Sequence, residues 1–191
     1  MATKPKWIWP EGDRDAIDAR AWFRRTFDLP AKPLRATLHI TASYRYLIFV
    51  NGHRLGPGPN FADPQYQYVD EWDITPFLIA GSNCLAVMAH NLAVGTHYSL
   101  AQPGGLWAEL ELDVRHNMQA TILTDSAWKT LSRGPYLWPV PRQFWTVDFQ
   151  EQVVCCEAPG GWTQAGFDDS SWVPAQELGA SPLAPWTTLI P

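Results

Sequence analysis

Leu106-Trp107-Ala108-Glu109-Leu110-Glu111-Leu112-Asp113-Val114 is the stretch that decides the fold. Leu106, Ala108, Leu110, Leu112 and Val114 take every second position, and Trp107, Glu109, Glu111 and Asp113 take those between. A period of two is that of a β-strand with one apolar face and one polar face. The three acids are most simply the solvated face. Trp107 opposes the Leu106/Ala108/Leu110 face, so it is expected outside the main core, partly exposed or covered by the loop that precedes it.

The same period recurs outward from this strand. Leu34, Ala36, Leu38 and Ile40 alternate with Arg35, Thr37 and His39. Ala21 to Phe27 alternates too, but carries large residues on both faces. Tyr44 to Val50 reads as a strand ended by Asn51-Gly52, a strong hairpin signal, with His53-Arg54-Leu55 returning. Gln65 to Val69, Cys84 to His90 and Ala120 to Thr124 are further strands, and Trp145 to Cys156 reads as one long strand. Trp7-Ile8-Trp9-Pro10 is an aromatic clip laid against the core. Gly56 to Asn60 is expected to be irregular and to open a loop running to about Pro64; Asn91 to Gly105 is a second long loop. Asp73 to Leu78 reads as a capped turn of helix, with Asp73 or Thr75 as the cap. Short strands joined by Gly- and Pro-rich turns, with no helical pattern of about 10 to 15 residues between them, predict an all-β fold, an antiparallel β-sandwich.

Asp125-Ser126-Ala127-Trp128 is echoed by Asp169-Ser170-Ser171-Trp172. Each copy reads as a capped turn that drops a Trp onto a core edge. The chain is expected to divide into a sandwich with long loops over residues 1–156 and an extended tail over 157–191. That tail either wraps the sandwich or begins a further one.

Composition excludes several classes. The 191 residues are 46% hydrophobic and 17% charged, with a formal net charge of −5, which is not a disordered chain. Arg24-Arg25 is too short a basic run for a nucleic-acid binder. No stretch approaches the roughly 20 apolar residues of a membrane span. Three Cys form no disulfide framework, and Cys155-Cys156 is read as a buried structural pair in its strand. The compartment stays open between cytoplasm and export.

Candidate chemistry is sparse. There is no G-x-S-x-G nucleophile elbow and no H-E-x-x-H, and His39, His53, His90, His97 and His116 are scattered. A sugar site needs an aromatic platform for C–H faces and planar polar groups to fix hydroxyls. The two long loops and their flanks supply both residue types. Asn60, Asp63, Tyr66, Asn91, His97, Tyr98 and Trp107 are the candidate carbohydrate-binding residues, alongside Phe61, Tyr68 and His90. The alternative is that these aromatics only pack the loops. A calcium ion held by Asp side chains and loop carbonyls is compatible with the composition, although no D-x-[DN]-x-[DN]-G loop exists.

Ala21-Trp22-Phe23-Arg24-Arg25-Thr26-Phe27 followed by Tyr46-Leu47-Ile48-Phe49-Val50-Asn51-Gly52 resembles the amino-terminal β-sandwich of bacterial α-L-rhamnosidases. More distantly it resembles the sugar-binding-type sandwich of β-galactosidases. The resemblance continues through Tyr68, Asp73-Ile74-Thr75-Pro76-Phe77-Leu78, Gly81-Ser82-Asn83-Cys84-Leu85-Ala86-Val87, Thr124 to Lys129 and Gly161 to Trp172, covering about residues 20 to 175. It implies a jelly-roll, galactose-binding-like sandwich. It further implies a non-catalytic accessory domain of a glycoside hydrolase whose catalytic (α/α)6 barrel lies downstream. Such domains bind sugar, in some cases with calcium, or brace the catalytic portion. No catalytic residue carries over to this chain. The implied partners are the rest of a parent glycosidase and a rhamnose-containing saccharide.

Overall fold

The computed structural model describes residues 4–114 and 118–191; His116 lies outside the described residues. Two antiparallel sheets pack face to face. The first orders β13 (Gln176–Ala180), β1 (Lys6–Trp9), β9 (Leu106–Val114), β3 (Arg35–Ala42) and β7 (Asp70–Asp73), with β10 (Met118–Leu123) also paired to β9. The second orders β12 (Val173–Pro174), β11 (Lys129–Ser132), β2 (Ala19–Leu29), β8 (Gly81–Asn91), β4 (Arg45–Val50) and β5 (His53–Gly58). A small parallel pair joins β6 (Tyr66–Tyr68) to β14 (Thr188–Ile190).

The alternating sequence sets the core. Leu106, Ala108, Leu110 and Leu112 of β9 meet Leu38 and Ile40 of β3, Phe23 of β2, Val87 of β8 and Ile48 of β4 in one buried cluster. Ala36 pairs with Leu112, Leu38 with Leu110 and Ile40 with Ala108, so the apolar positions of β3 and β9 share one face. Trp107 is buried, but in a separate cluster with Trp7 and Trp186 on the outer side of that sheet. The expected strand face is therefore correct. The cover is Trp186 from the chain's end, and no exposure is left for Trp107 beyond 8%.

Asn51 and Gly52 turn β4 into β5 with φ of 48° and 84°, the left-handed pair that a tight two-residue hairpin requires. Gly56 to Gly58, expected to be irregular, extends β5. Pro57 sits opposite Leu47 on a strand with a free edge, where a missing N–H costs no ladder bond. A Cβ at Gly56 would meet the Trp72 ring at 2.7 Å, so glycine here admits a close neighbour. The helical turn is a single 3-10 turn at Thr75–Phe77 with no side-chain cap on it. Asp73 Oδ1 accepts from Thr75 N at 3.0 Å, and Thr75 Oγ1 accepts from Ala36 N at 2.8 Å, tying the turn to β3.

Trp145 to Cys156 is not a strand. It makes isolated bridges at Arg142–Phe149 and Tyr136–Val153 and ends in a 3-10 turn at Cys155–Glu157. The alternation is present, but among the described residues no strand pairs with it beyond those bridges. The Arg142 guanidinium takes the carbonyls of Trp145 and Val147, which a neighbouring strand would otherwise have taken. Cys155 and Cys156 are consequently exposed, correcting the buried reading, while Cys84 is buried.

Both D-S-x-W copies deliver a buried Trp. Trp128 N donates to Asp125 O and Trp172 N to Asp169 O. The capping carboxylate differs. Asp125 Oδ1 accepts from Ala127 N, whereas Asp168 takes the equivalent bond from Ser170 N and leaves Asp169 to pair with the buried Arg24. That second turn covers the outer face of β2. Trp162 lies 4.7 Å from Trp22 and 5.4 Å from Phe49 between ring centroids, which explains why Ala21 to Phe27 carries large residues on both faces. Residues 157–191 run back over the sandwich and add one strand to each sheet.

Candidate functional site

An aromatic row lies where the β5–β6 loop meets the β8–β9 loop. Phe61 stacks between Tyr44 (centroids 5.3 Å, planes 26° apart) and Tyr98 (6.2 Å, 16°). His97 meets Tyr98 edge-on at 5.5 Å. Phe61 is 39% exposed and Tyr98 64%, while Tyr44 is buried at the row's inner end.

Backbone geometry holds the row open. Thr96 Oγ1 accepts from Tyr98 N and Ser99 N, and Thr96 N donates to Ser99 O, a tight turn that turns His97 and Tyr98 outward. On the facing loop Asp63 Oδ1 accepts from Gln65 N at 2.8 Å and Asp63 O from Tyr66 N at 2.8 Å. His97 N reaches Thr146 O, joining the row to the 133–157 excursion. At the inner end Asp148 accepts from the Tyr44 hydroxyl at 2.6 Å and from Arg45 Nη1 at 2.9 Å. The Arg45 guanidinium lies 4.9 Å from the Tyr44 centroid and 5.1 Å from that of Phe61. Burial and the Asp148 carboxylate raise the Tyr44 hydroxyl well above the usual phenol range, so it stays protonated and donates.

Phe61 separates two shallow grooves. One is lined by Asp63, Thr96, His97, Tyr98 and Ser99, the other by Arg45, Pro57, Pro59, Asn60 and Asp70. The arrangement offers flat apolar rings beside hydrogen-bonding groups, the chemistry that binds a polyhydroxylated ring. Among the described residues no group of three or more His, Cys, Asp or Glu is placed to hold a metal ion.

Three sequence candidates, Asp63, His97 and Tyr98, line one groove, and Asn60 lines the other, across Phe61. Two do not belong. Asn91 is fully buried, its Nδ2 donating to Gln102 O as a loop brace, and Trp107 lies under Trp186. Asn91 ends β8, and Trp107 is the second residue of β9. Tyr66 and Tyr68 are exposed on β6, flanking buried Gln67, apart from the row. His90 is largely buried against Asp18. Sequence reasoning missed Tyr44, Arg45 and Asp148. Tyr44 and Arg45 open a strand and read as sheet residues, and Asp148 sat within the expected strand at 145–156.

The alpha-L-rhamnosidase N-terminal domain family matches residues 31–186. A crystal structure of a GH78 family rhamnosidase of Bacillus sp. GL1 is 36% identical with a TM-score of 0.89, over 100% of this chain and 20% of that one. An alpha-L-rhamnosidase of Streptomyces avermitilis is 30% identical over 189 residues, 97% of this chain and 15% of its own length. A lectin of Pleurotus ostreatus shares the fold, with a TM-score of 0.70 at 23% identity over 100% of this chain and 47% of that one. The chain spans between 15% and 20% of the two rhamnosidases. The matched segment takes in the aromatic row and every strand from β3 to β13, leaving β1, β2 and β14 outside it, and the chain belongs to the alpha-L-rhamnosidase N-terminal domain family.

Proposed function

We propose that this chain is the non-catalytic accessory module of an α-L-rhamnosidase-type glycoside hydrolase, and that its aromatic row contacts carbohydrate. The observation that carries this reading is the Tyr44–Phe61–Tyr98 row, with two rings open to solvent and Asn60, Asp63 and His97 beside them. Rings held by their own stacking lose little freedom on binding, so contact with a sugar face is gained at low entropic cost. The test is calorimetric titration with L-rhamnose and short rhamnose-containing oligosaccharides, with and without calcium. Saturable heat that Tyr98→Ala abolishes supports the reading. No heat at millimolar sugar in either condition removes it.

A second reading, that the domain braces the catalytic portion, is favoured by one observation. The 133–157 excursion exposes Leu137, Trp138, Phe144, Trp145, Val147 and Val153. An apolar crest of this kind suits a protein contact. It predicts that the full-length parent enzyme loses thermal stability when Trp145 and Phe144 become Ser, while the isolated chain does not.

A further inference from the structure

Cys155 and Cys156 are consecutive, both exposed, and carried on one 3-10 turn, Cys155–Glu157. The turn is fixed at its base. Val154 N donates to Pro135 O at 2.9 Å, Glu157 N to Val154 O at 2.9 Å and Ala158 N to Cys155 O at 3.3 Å. Val153 is bridged to Tyr136 just before it. A 3-10 turn has three residues per turn, so neighbouring side chains diverge by a third of a turn, an angle that staggered χ1 rotamers can close between two short, exposed side chains. The backbone is held while the two thiols stay open to solvent.

Geometry decides what this pair can take. Consecutive Cα atoms across a trans peptide are about 3.8 Å apart, and the Cys155–Cys156 peptide is trans. Cα atoms joined by a disulfide usually lie about 4.4–6.8 Å apart. A direct S–S bond between neighbours therefore strains the backbone, whereas an atom inserted between the sulfurs relieves it. Soft sulfur ligands select soft thiophilic centres.

We propose that Cys155-Cys156 is a vicinal-dithiol site for a thiophilic centre that bonds both sulfurs, with trivalent organoarsenicals as the chemical class. In the reaction with an arsenoxide R–As=O, the arsenic–oxygen bond is lost and two As–S bonds form. The two thiol protons leave with the oxygen as one water, and neither arsenic nor sulfur changes oxidation state. Cys84 is the internal contrast. It is buried in β8, and burial pushes its thiol up to about 11.

The experiment treats the reduced chain with one equivalent of phenylarsine oxide and reads intact mass and free-thiol count. One phenylarsenic group per chain is expected, leaving one reactive thiol of the three after denaturation. Excess 2-mercaptoethanol should not remove the group, and 2,3-dimercaptopropanol should. Cys155→Ser and Cys156→Ser should each lose the monothiol-resistant adduct completely, and Cys84→Ser should keep it. Both cysteines are exposed, so circular dichroism of the single variants should match the parent. An adduct that persists in either single variant, or one that monothiol strips from the unmodified chain, overturns the proposal.

Discussion

Trp7 and Trp186 stack with ring centroids 4.0 Å apart and planes 21° from parallel, although they stand at opposite ends of the chain. Both are fully buried. Trp186 Nε1 donates to Gln102 Oε1 at 2.7 Å, and a Cβ on Gly105 would meet the Trp186 ring at 2.4 Å. The final segment is thus locked onto the first sheet by shape as well as area. Trp186→Ala should cost about 3–5 kcal/mol, read by urea denaturation, and should make residues 181–191 the first site of limited proteolysis.

Arg24 is fully buried on β2 and donates from Nε to Asp169 Oδ2 at 3.0 Å and from Nη1 to the carbonyls of Trp162 and Gln164. Removing the carboxylate leaves a guanidinium without its counter-charge in a dry site. Asp169→Ala is expected to destabilise by about 3 kcal/mol. The Arg24→Met/Asp169→Ala double variant should be more stable than Asp169→Ala alone, and a double-mutant cycle in urea reads the difference. A double variant less stable than the single one would mean that the carbonyl bonds, not the charge pair, dominate.

Asn51 combines a positive φ with three side-chain bonds. Nδ2 donates to Phe77 O and Asn83 Oδ1, and Oδ1 accepts from Cys84 N. Asn51→Ala meets both penalties and should lower stability by about 2–3 kcal/mol. Asn51→Gly keeps the turn and loses only the bonds, so its loss should be smaller. Equal losses for the two would remove the backbone from the account.

His90 Nε2 lies 2.7 Å from Asp18 Oδ1, with Arg20 and Asp148 also facing it. Burial, opposed by Asp18, holds its pKa below the ordinary 6.5. Between that lower value and 6.5 the unfolded chain binds the extra proton and the folded chain does not. Stability therefore falls as pH drops below about 6.5, and the loss is complete once the folded pKa is passed. His90→Gln should flatten the slope of unfolding free energy between pH 7 and pH 5. An unchanged slope would place the titration elsewhere.

Tyr98 and Tyr44 sit in one aromatic row yet should behave oppositely. Tyr98→Ala removes an exposed ring and should change stability by no more than about 0.5 kcal/mol while abolishing sugar heat. Tyr44→Phe deletes the bond to Asp148 and should cost about 1 kcal/mol, with the row kept in place and sugar affinity reduced only modestly. Loss of folding in Tyr98→Ala would mark that ring as a packing residue.

The strands were legible wherever alternation coincided with a partner. Leu106 to Val114 and Ala36 to Ile40 show this, since their apolar positions have a facing sheet to enter, whereas Leu34, expected in the same strand, precedes it and is exposed. Trp145 to Cys156 carries the same alternation and is not a strand; Arg142 takes the carbonyls of Trp145 and Val147 at its start. Asn60, Asp63, His97 and Tyr98 were readable as site candidates from residue type and loop position. Asn91 and Trp107 have the same types, but a sequence does not show that one braces a loop and the other is roofed by a Trp 79 positions later.

By itself, then, the sequence determined the period of two, the Asn51-Gly52 turn and the all-β class. These follow from local sterics and from the burial of alternate side chains. Tertiary structure decided which strands share a sheet, that residues 173–190 return to both sheets and to β6, and that Tyr44, Phe61 and Tyr98 form one row. Those outcomes depend on contacts between residues far apart in the chain, whose energies come from packing and solvent exclusion and leave no local pattern to read.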